Sequence, residues 1–106
     1  MNEAQFSQLA EQIFTDIEDA IDQSEAELDY EGGNGVLTID CEDSDTQVIV
    51  SRQVAMFQIW VAAKSGGFHC AMTGEQWRCT TTDESLKDLL DRVLSEQSDS
   101  AVVLDW

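Results

Sequence analysis

Residues 1–45 hold fourteen acids and no lysine or arginine, whereas the rest of the 106-residue chain holds eight acids and five bases. The net charge of −17 is therefore concentrated in the first half. A field of that sign repels nucleic acid and anionic lipid, which are bound through basic patches, and leaves cations and basic protein surfaces as the partners to expect. A general solubility role would spread acids over the whole surface, which this division does not do. No stretch approaches the roughly 18 apolar residues of a membrane span. MNEAQFSQ at the start lacks the positive, then apolar pattern of a secretory signal and the arginines of a mitochondrial presequence. A soluble, cytoplasmic protein is expected.

Reactive groups are equally scarce. One histidine, His69, has no serine or cysteine that can be assigned to it, so nucleophilic catalysis lacks its parts. Cys41, Cys70 and Cys79 are odd in number and show no C-x-x-C spacing, which argues against a disulfide framework and against a zinc or cluster site. They are expected as reduced, buried thiols. Neither GGNG nor SGG continues into a phosphate loop or a dinucleotide fingerprint, and DCEDSD lacks the glycine that a calcium loop needs. A carboxylate pair for glycoside hydrolysis would need a cleft with one desolvated acid, whereas these acids fall on an open helix face.

What remains is organised as one domain, residues 1–106. Phe6, Leu9, Ala10, Ile13, Ile17, Ala20 and Ile21 recur at steps of three and four, predicting an amphipathic helix over about 3–22 with an Asn2/Gln5 capping box. Residues 23–35 read as an acidic connector ending in the turn signal GGNG. Period-two alternation then marks strands in GVLTIDCE, TQVIVSR, AMFQIWVAA, FHCAM and QWRCT, joined by short turns. All three cysteines fall on inward strand positions, while Trp60 and His69 fall on the outward face. Thr81 and Glu84 form a second capping box ahead of a helix carrying Leu86, Leu89, Leu90, Val93 and Leu94. Val102, Leu104 and Trp106 alternate in a tail expected to tuck against the helices. The fold class that follows is α+β, a two-layer sandwich with N- and C-terminal helices on one face of an antiparallel sheet of about five to six strands.

Half of the sixteen residues in DIEDAIDQSEAELDYE, 16–31, are acids. On the first helix, Asp16/Asp19, Asp19/Asp22 and Glu18/Asp22 are three or four apart and neighbour one another, with Glu11 one heptad before Glu18. Oxygen-only ligands on a solvated ridge suit hard cations, weakly and without selectivity. A basic protein surface is an equal alternative, and a solvated acidic face with no ligand is a third. Trp60 reads either as a cross-strand packing residue or as an interface anchor.

RQ at 52–53, QIW at 58–60, A-x-K-x-GG-F-H at 62–69 and W-x-C at 77–79, together with the acidic first helix, resemble the bacterial frataxin (CyaY) family over essentially the whole chain. The resemblance implies a two-helix, antiparallel-sheet sandwich that is not an enzyme. It implies weak binding of ferrous or ferric iron, with other divalent or trivalent cations as substitutes, through Glu11, Glu18, Asp19, Asp22, Asp29, Glu31, Asp40 and Glu42. It also implies regulation of iron–sulfur cluster assembly, by docking on a cysteine desulfurase and its scaffold protein through Glu18, Asp19, Asp22, Gln58 and Trp60. The protein would be a monomer, with iron-induced oligomers an extension of that state. An iron chaperone or store with slow iron oxidation is the alternative. No E-x-x-H, the signature of di-iron carboxylate sites, occurs in the chain. The family usually carries proline shortly after RQ, where this chain has Val54 and Ala55 and no proline anywhere, and Phe57 stands where a relative can carry histidine.

Overall fold

A computed structural model describes residues 1–98 and 100–106. Helix α1 (Glu3–Gln23) leads into strands β1 (Leu28–Gly33), β2 (Val36–Cys41) and β3 (Thr46–Gln53). A single 3-10 turn (Val54–Met56) follows, then β4 (Gln58–Ala63), β5 (Gly66–Thr73), β6 (Gln76–Cys79) and helix α2 (Leu86–Ser98). The six strands pair antiparallel in chain order, a meander with β1 and β6 at its edges.

Asn2 starts α1 as expected: its side chain accepts from the Gln5 amide at 2.8 Å while the Gln5 side chain accepts from the Asn2 amide at 3.1 Å. Two orphan donors of the first turn are thereby satisfied. The helix buries Phe6, Ala10, Ile17, Ala20 and Ile21, while α2 buries Leu86, Leu89, Leu90, Val93 and Leu94. Both stripes close over one sheet face, whose inward residues include Leu37, Ile39, Cys41, Val48, Val50, Ile59, Val61, Cys70, Trp77 and Cys79. The tail runs back along α2. Val102 and Leu104 are buried, and the Leu104 amide donates to the Asp91 carboxylate at 3.0 Å.

Three expectations change. The acidic connector contains a strand, because Leu28 and Tyr30 pack inward with period two and Asn34 and Gly35, both at positive φ, close a tight hairpin onto β2. Ala55, Met56 and Phe57 do not open β4, which starts at Gln58: Ala55 and Met56 belong to the 3-10 turn, and Phe57, at φ 52°, ends it. The expected Thr81/Glu84 box does not cap α2. Ser85 does, accepting from the Asp88 amide at 3.1 Å.

Glu84 is engaged elsewhere: Arg92 donates to it twice, at 2.9 and 2.8 Å, in a two-pronged pair between the approach to α2 and the helix itself. The Arg92 guanidinium holds the Glu84 carboxyl below its ordinary 4.5. A carboxylate with a depressed folded pKa stabilises above its unfolded pKa, and that contribution fades as pH falls through the lower folded value. Glu84→Gln is therefore expected to cost under about 1 kcal/mol at pH 7, since the pair is partly solvated. The cost should fade toward an acid pH below the ordinary 4.5, as the wild-type carboxyl loses its charge too. Urea denaturation at both pH values checks this, and an equal cost at each would show that shape rather than charge matters.

Candidate functional site

Two surfaces stand out once the fold is in place. The first wraps the β1 edge. On the helix side, Glu18, Asp19 and Asp22 cluster around the Tyr30 hydroxyl, which donates to the Asp22 carboxylate at 2.9 Å. That hydrogen bond, followed by burial and the charges of Asp22, Glu18 and Asp19, raises the tyrosine pKa above its usual 10.0. The Glu18 carboxylate lies so close over Gly32 that a Cβ there would come within 2.6 Å of Oε2. Helix α1 thus rests its acids directly against the edge strand.

On the opposite side of β1, Asp29 and Glu31 point outward, alternating with inward Leu28 and Tyr30. Asp29 stands directly across from Asp40 on β2, a like-charge cross-strand pair that costs stability by itself. Gln47 on β3 relieves part of this by donating to Asp40 at 2.7 Å. Asp29, Asp40, Glu42 and Asp45 line one open groove at the β2–β3 turn. Glu31 lines a separate, shallower depression with Asn34, Val36 and Thr38. Glu11 is exposed on α1, nearly two turns before Glu18.

The ridge residues read from sequence are therefore gathered into an α1 cluster and a sheet-end cluster separated by β1, with Glu11 and Glu31 apart from both. Among the described residues, no three His, Cys, Asp or Glu side chains form a set able to enclose a metal ion. Nor does any acid of residues 1–45 form an ion pair; the salt bridges lie between Lys87 and Asp91 and between Arg92 and Glu84 or Glu96. Tyr30, Gln47 and Asp45 were missed from sequence. The Leu28/Tyr30 alternation would have found the first, and the other two depend on register.

The second surface is the sheet face that no helix covers. Outward residues of β3, β4 and β5 include Ile49, Ser51, Gln58, Trp60, Ala62, His69 and Ala71, with no acid, lysine or arginine among them. Trp60 and His69 are cross-strand partners whose rings stack, centroids 4.1 Å apart and 12° from parallel. The Trp60 indole donates to Gln58 Oε1 at 2.8 Å. Each ring thus covers one face of the other, and the Trp60 side chain is held in place with little rotamer entropy left to lose on contact. Val36 and Ile49, 39% and 36% exposed, extend the apolar patch.

This arrangement has known counterparts. Residues 1–100 match the model of the frataxin-like domain. The iron-sulfur cluster assembly protein CyaY of Vibrio atlanticus is 37% identical over 102 residues, covering 96% of this chain and 97% of the relative. The protein of the same name from Pseudomonas fluorescens is 40% identical over 101 residues, covering 93% and 91%. A solved frataxin from Psychromonas ingrahamii superposes with a TM-score of 0.90 at 29% identity, over the full length of both chains. With its fold and sequence agreeing along the whole length, the chain belongs to the bacterial frataxin (CyaY) family.

Proposed function

We propose that this protein is a non-enzymatic regulator of iron–sulfur cluster assembly, which binds iron weakly along the β1 ridge and docks through it on a cysteine desulfurase and its scaffold. The role in cluster assembly is supported by the CyaY relatives, which carry it in their name. The observation that carries the finer reading is the unpaired ridge. Glu18, Asp19, Asp22, Asp29, Glu31, Asp40 and Glu42 flank one edge strand without a single basic partner. Burial of apolar groups holds α1 against β1 despite the repulsion, so cations or a basic protein surface that relieve it gain free energy on arrival.

Carboxylates are suitable donors for iron as cargo, being hard oxygen ligands. Spread along two sides of a strand and left in water, they bind it loosely and release it readily. That is behaviour expected of a carrier or sensor, not of a catalytic centre with fixed coordination. Docking would begin with long-range attraction to the ridge and finish with contact at the uncharged face around Trp60 and Gln58.

Calorimetric titration of a cysteine desulfurase with this protein, at about 50 and 300 mM salt and with or without ferrous iron, tests the reading. Binding that weakens at least tenfold at the higher salt is expected, because a ridge contact is screened once the Debye length shrinks below 10 Å or so. Affinity independent of salt would remove the ridge from the interface. An iron-dependent affinity would make the ridge a sensor.

A further inference from the structure

We propose that Cys70 and Cys79 form a reversible dithiol–disulfide site at the β5–β6 edge, oxidised by low-molecular-weight disulfides. The two are direct cross-strand partners. The Thr80 amide donates to the His69 carbonyl at 2.8 Å, bracketing the pair from outside, so Cys70 and Cys79 occupy a non-hydrogen-bonded position of the antiparallel ladder. At such positions the Cα atoms lie about 4.5 Å apart and the side chains lean together. A disulfide spans Cα separations of roughly 4.4 to 6.8 Å, so this pair can close without moving a strand. Both side chains point into the same inward layer. Cys41 is excluded as a partner: it sits on β2, three strand spacings from β5, or about 14 Å.

The two thiols are unequal in a way that suits exchange. Burial pushes Cys70 up to about 12. Burial acts on Cys79 in the same sense, but hydrogen bonds from the hydroxyls and backbone of Thr81 and Thr82 outweigh it and bring the thiol to about 7. The Thr81 hydroxyl lies 3.3 Å from the Cys79 sulfur. Cys79 is therefore the attacking thiolate and Cys70 the resolving thiol.

The steps balance. Cys79 thiolate attacks one sulfur of the external disulfide, forming a mixed disulfide and expelling one thiolate. That thiolate or water takes the Cys70 proton. Cys70 then attacks the Cys79 sulfur and expels the second thiolate, so the pair is oxidised by two electrons and the reagent reduced to two thiols. Neither cysteine is open in the closed fold, at 0% and 2% exposure. Strand β6 supplies the access: it is a four-residue edge strand paired to β5 on one side and held on the other only by the short 83–85 segment, through the Arg78–Ser85 bridge and backbone hydrogen bonds of Cys79 with Glu84 and Asp83. Fraying of that edge uncovers Cys79 while the rest of the sheet stays paired.

The folded, reduced protein, its C41S, C70S and C79S variants, and a urea-unfolded control are exposed to oxidised glutathione at pH 7. Free thiols are then alkylated and the peptides mapped by mass spectrometry. Wild type and C41S should yield one Cys70–Cys79 linkage, reversed by dithiothreitol. C70S should accumulate glutathione on residue 79, and C79S should remain unmodified at least tenfold longer. The proposal is overturned if Cys70 and Cys79 both stay alkylatable in the folded wild type, if they link only in urea, or if C70S and C79S trap glutathione equally.

Discussion

Replacing Glu18, Asp19 and Asp22 together by lysine should make the free protein more stable and a worse partner. The three reversals add six charges, taking the net from −17 to −11. They also place cations near the C-terminal end of α1, where the last turn has no base to complement the helix dipole. The Tyr30–Asp22 hydrogen bond is lost, which offsets part of the gain. The remaining gain of about 1 kcal/mol corresponds to a rise in Tm of about 4 to 8 °C for a domain of this size. Affinity for the desulfurase should fall at least about a hundredfold, since reversal turns attraction into repulsion at each contact. Reversing Glu75, Asp88 and Asp105 instead makes the same change in net charge on exposed positions outside the ridge. If that control weakened binding as much as the ridge variant does, total charge and not the ridge would govern docking. Opposite signs for stability and binding at one set of residues are the mark of a surface kept for contact and not for the fold.

Much of this was legible in the sequence because burial imposes periodicity. The bounds of α1, the inward cysteines, the outward Trp60 and the tail along α2 all follow from which positions must leave water. Local charge hid β1: four acids in seven residues over 25–31 read as a solvated connector, although Leu28 and Tyr30 were alternating within them. The strand is stabilised by pairing with β2, a tertiary effect that outweighs local propensity. Glu84 was misplaced for a similar reason. It has the spacing of a cap, but Arg92, eight residues away, offers two charge-assisted hydrogen bonds that a backbone amide cannot match. Facing pairs such as Asp29 with Asp40, Trp60 with His69, and Cys70 with Cys79 were out of reach altogether. Each is set by strand register, which a periodic pattern leaves free to slide by two residues.

Truncating Phe6 to alanine should produce the largest loss of stability among single changes near the ridge, about 3 to 5 kcal/mol. The ring is fully buried and meets Phe57 at 5.5 Å and Trp77, edge on, at 5.8 Å. It thereby joins the start of α1 both to the turn before β4 and to the far edge strand β6. Phe57 can reach it because of its left-handed backbone, so neither ring can follow the other inward to fill a cavity without giving up that turn. A loss of this size takes a large share of the 5 to 15 kcal/mol that holds a domain together. It should show as a lower urea midpoint with an unchanged slope. Leu9→Ala, on the same helix but at a side chain 39% exposed, should cost under about 1 kcal/mol. Equal costs for the two would mean that α1 is held mainly at its other end, by Ile17, Ala20 and Ile21. The outcome bears on function, because the carboxylates of α1 repel the acids of β1 and stay beside them only as long as apolar anchors hold the helix down. A protein weakened at Phe6 should gain about the same free energy from added salt as the wild type does, but that gain is a larger fraction of its remaining margin.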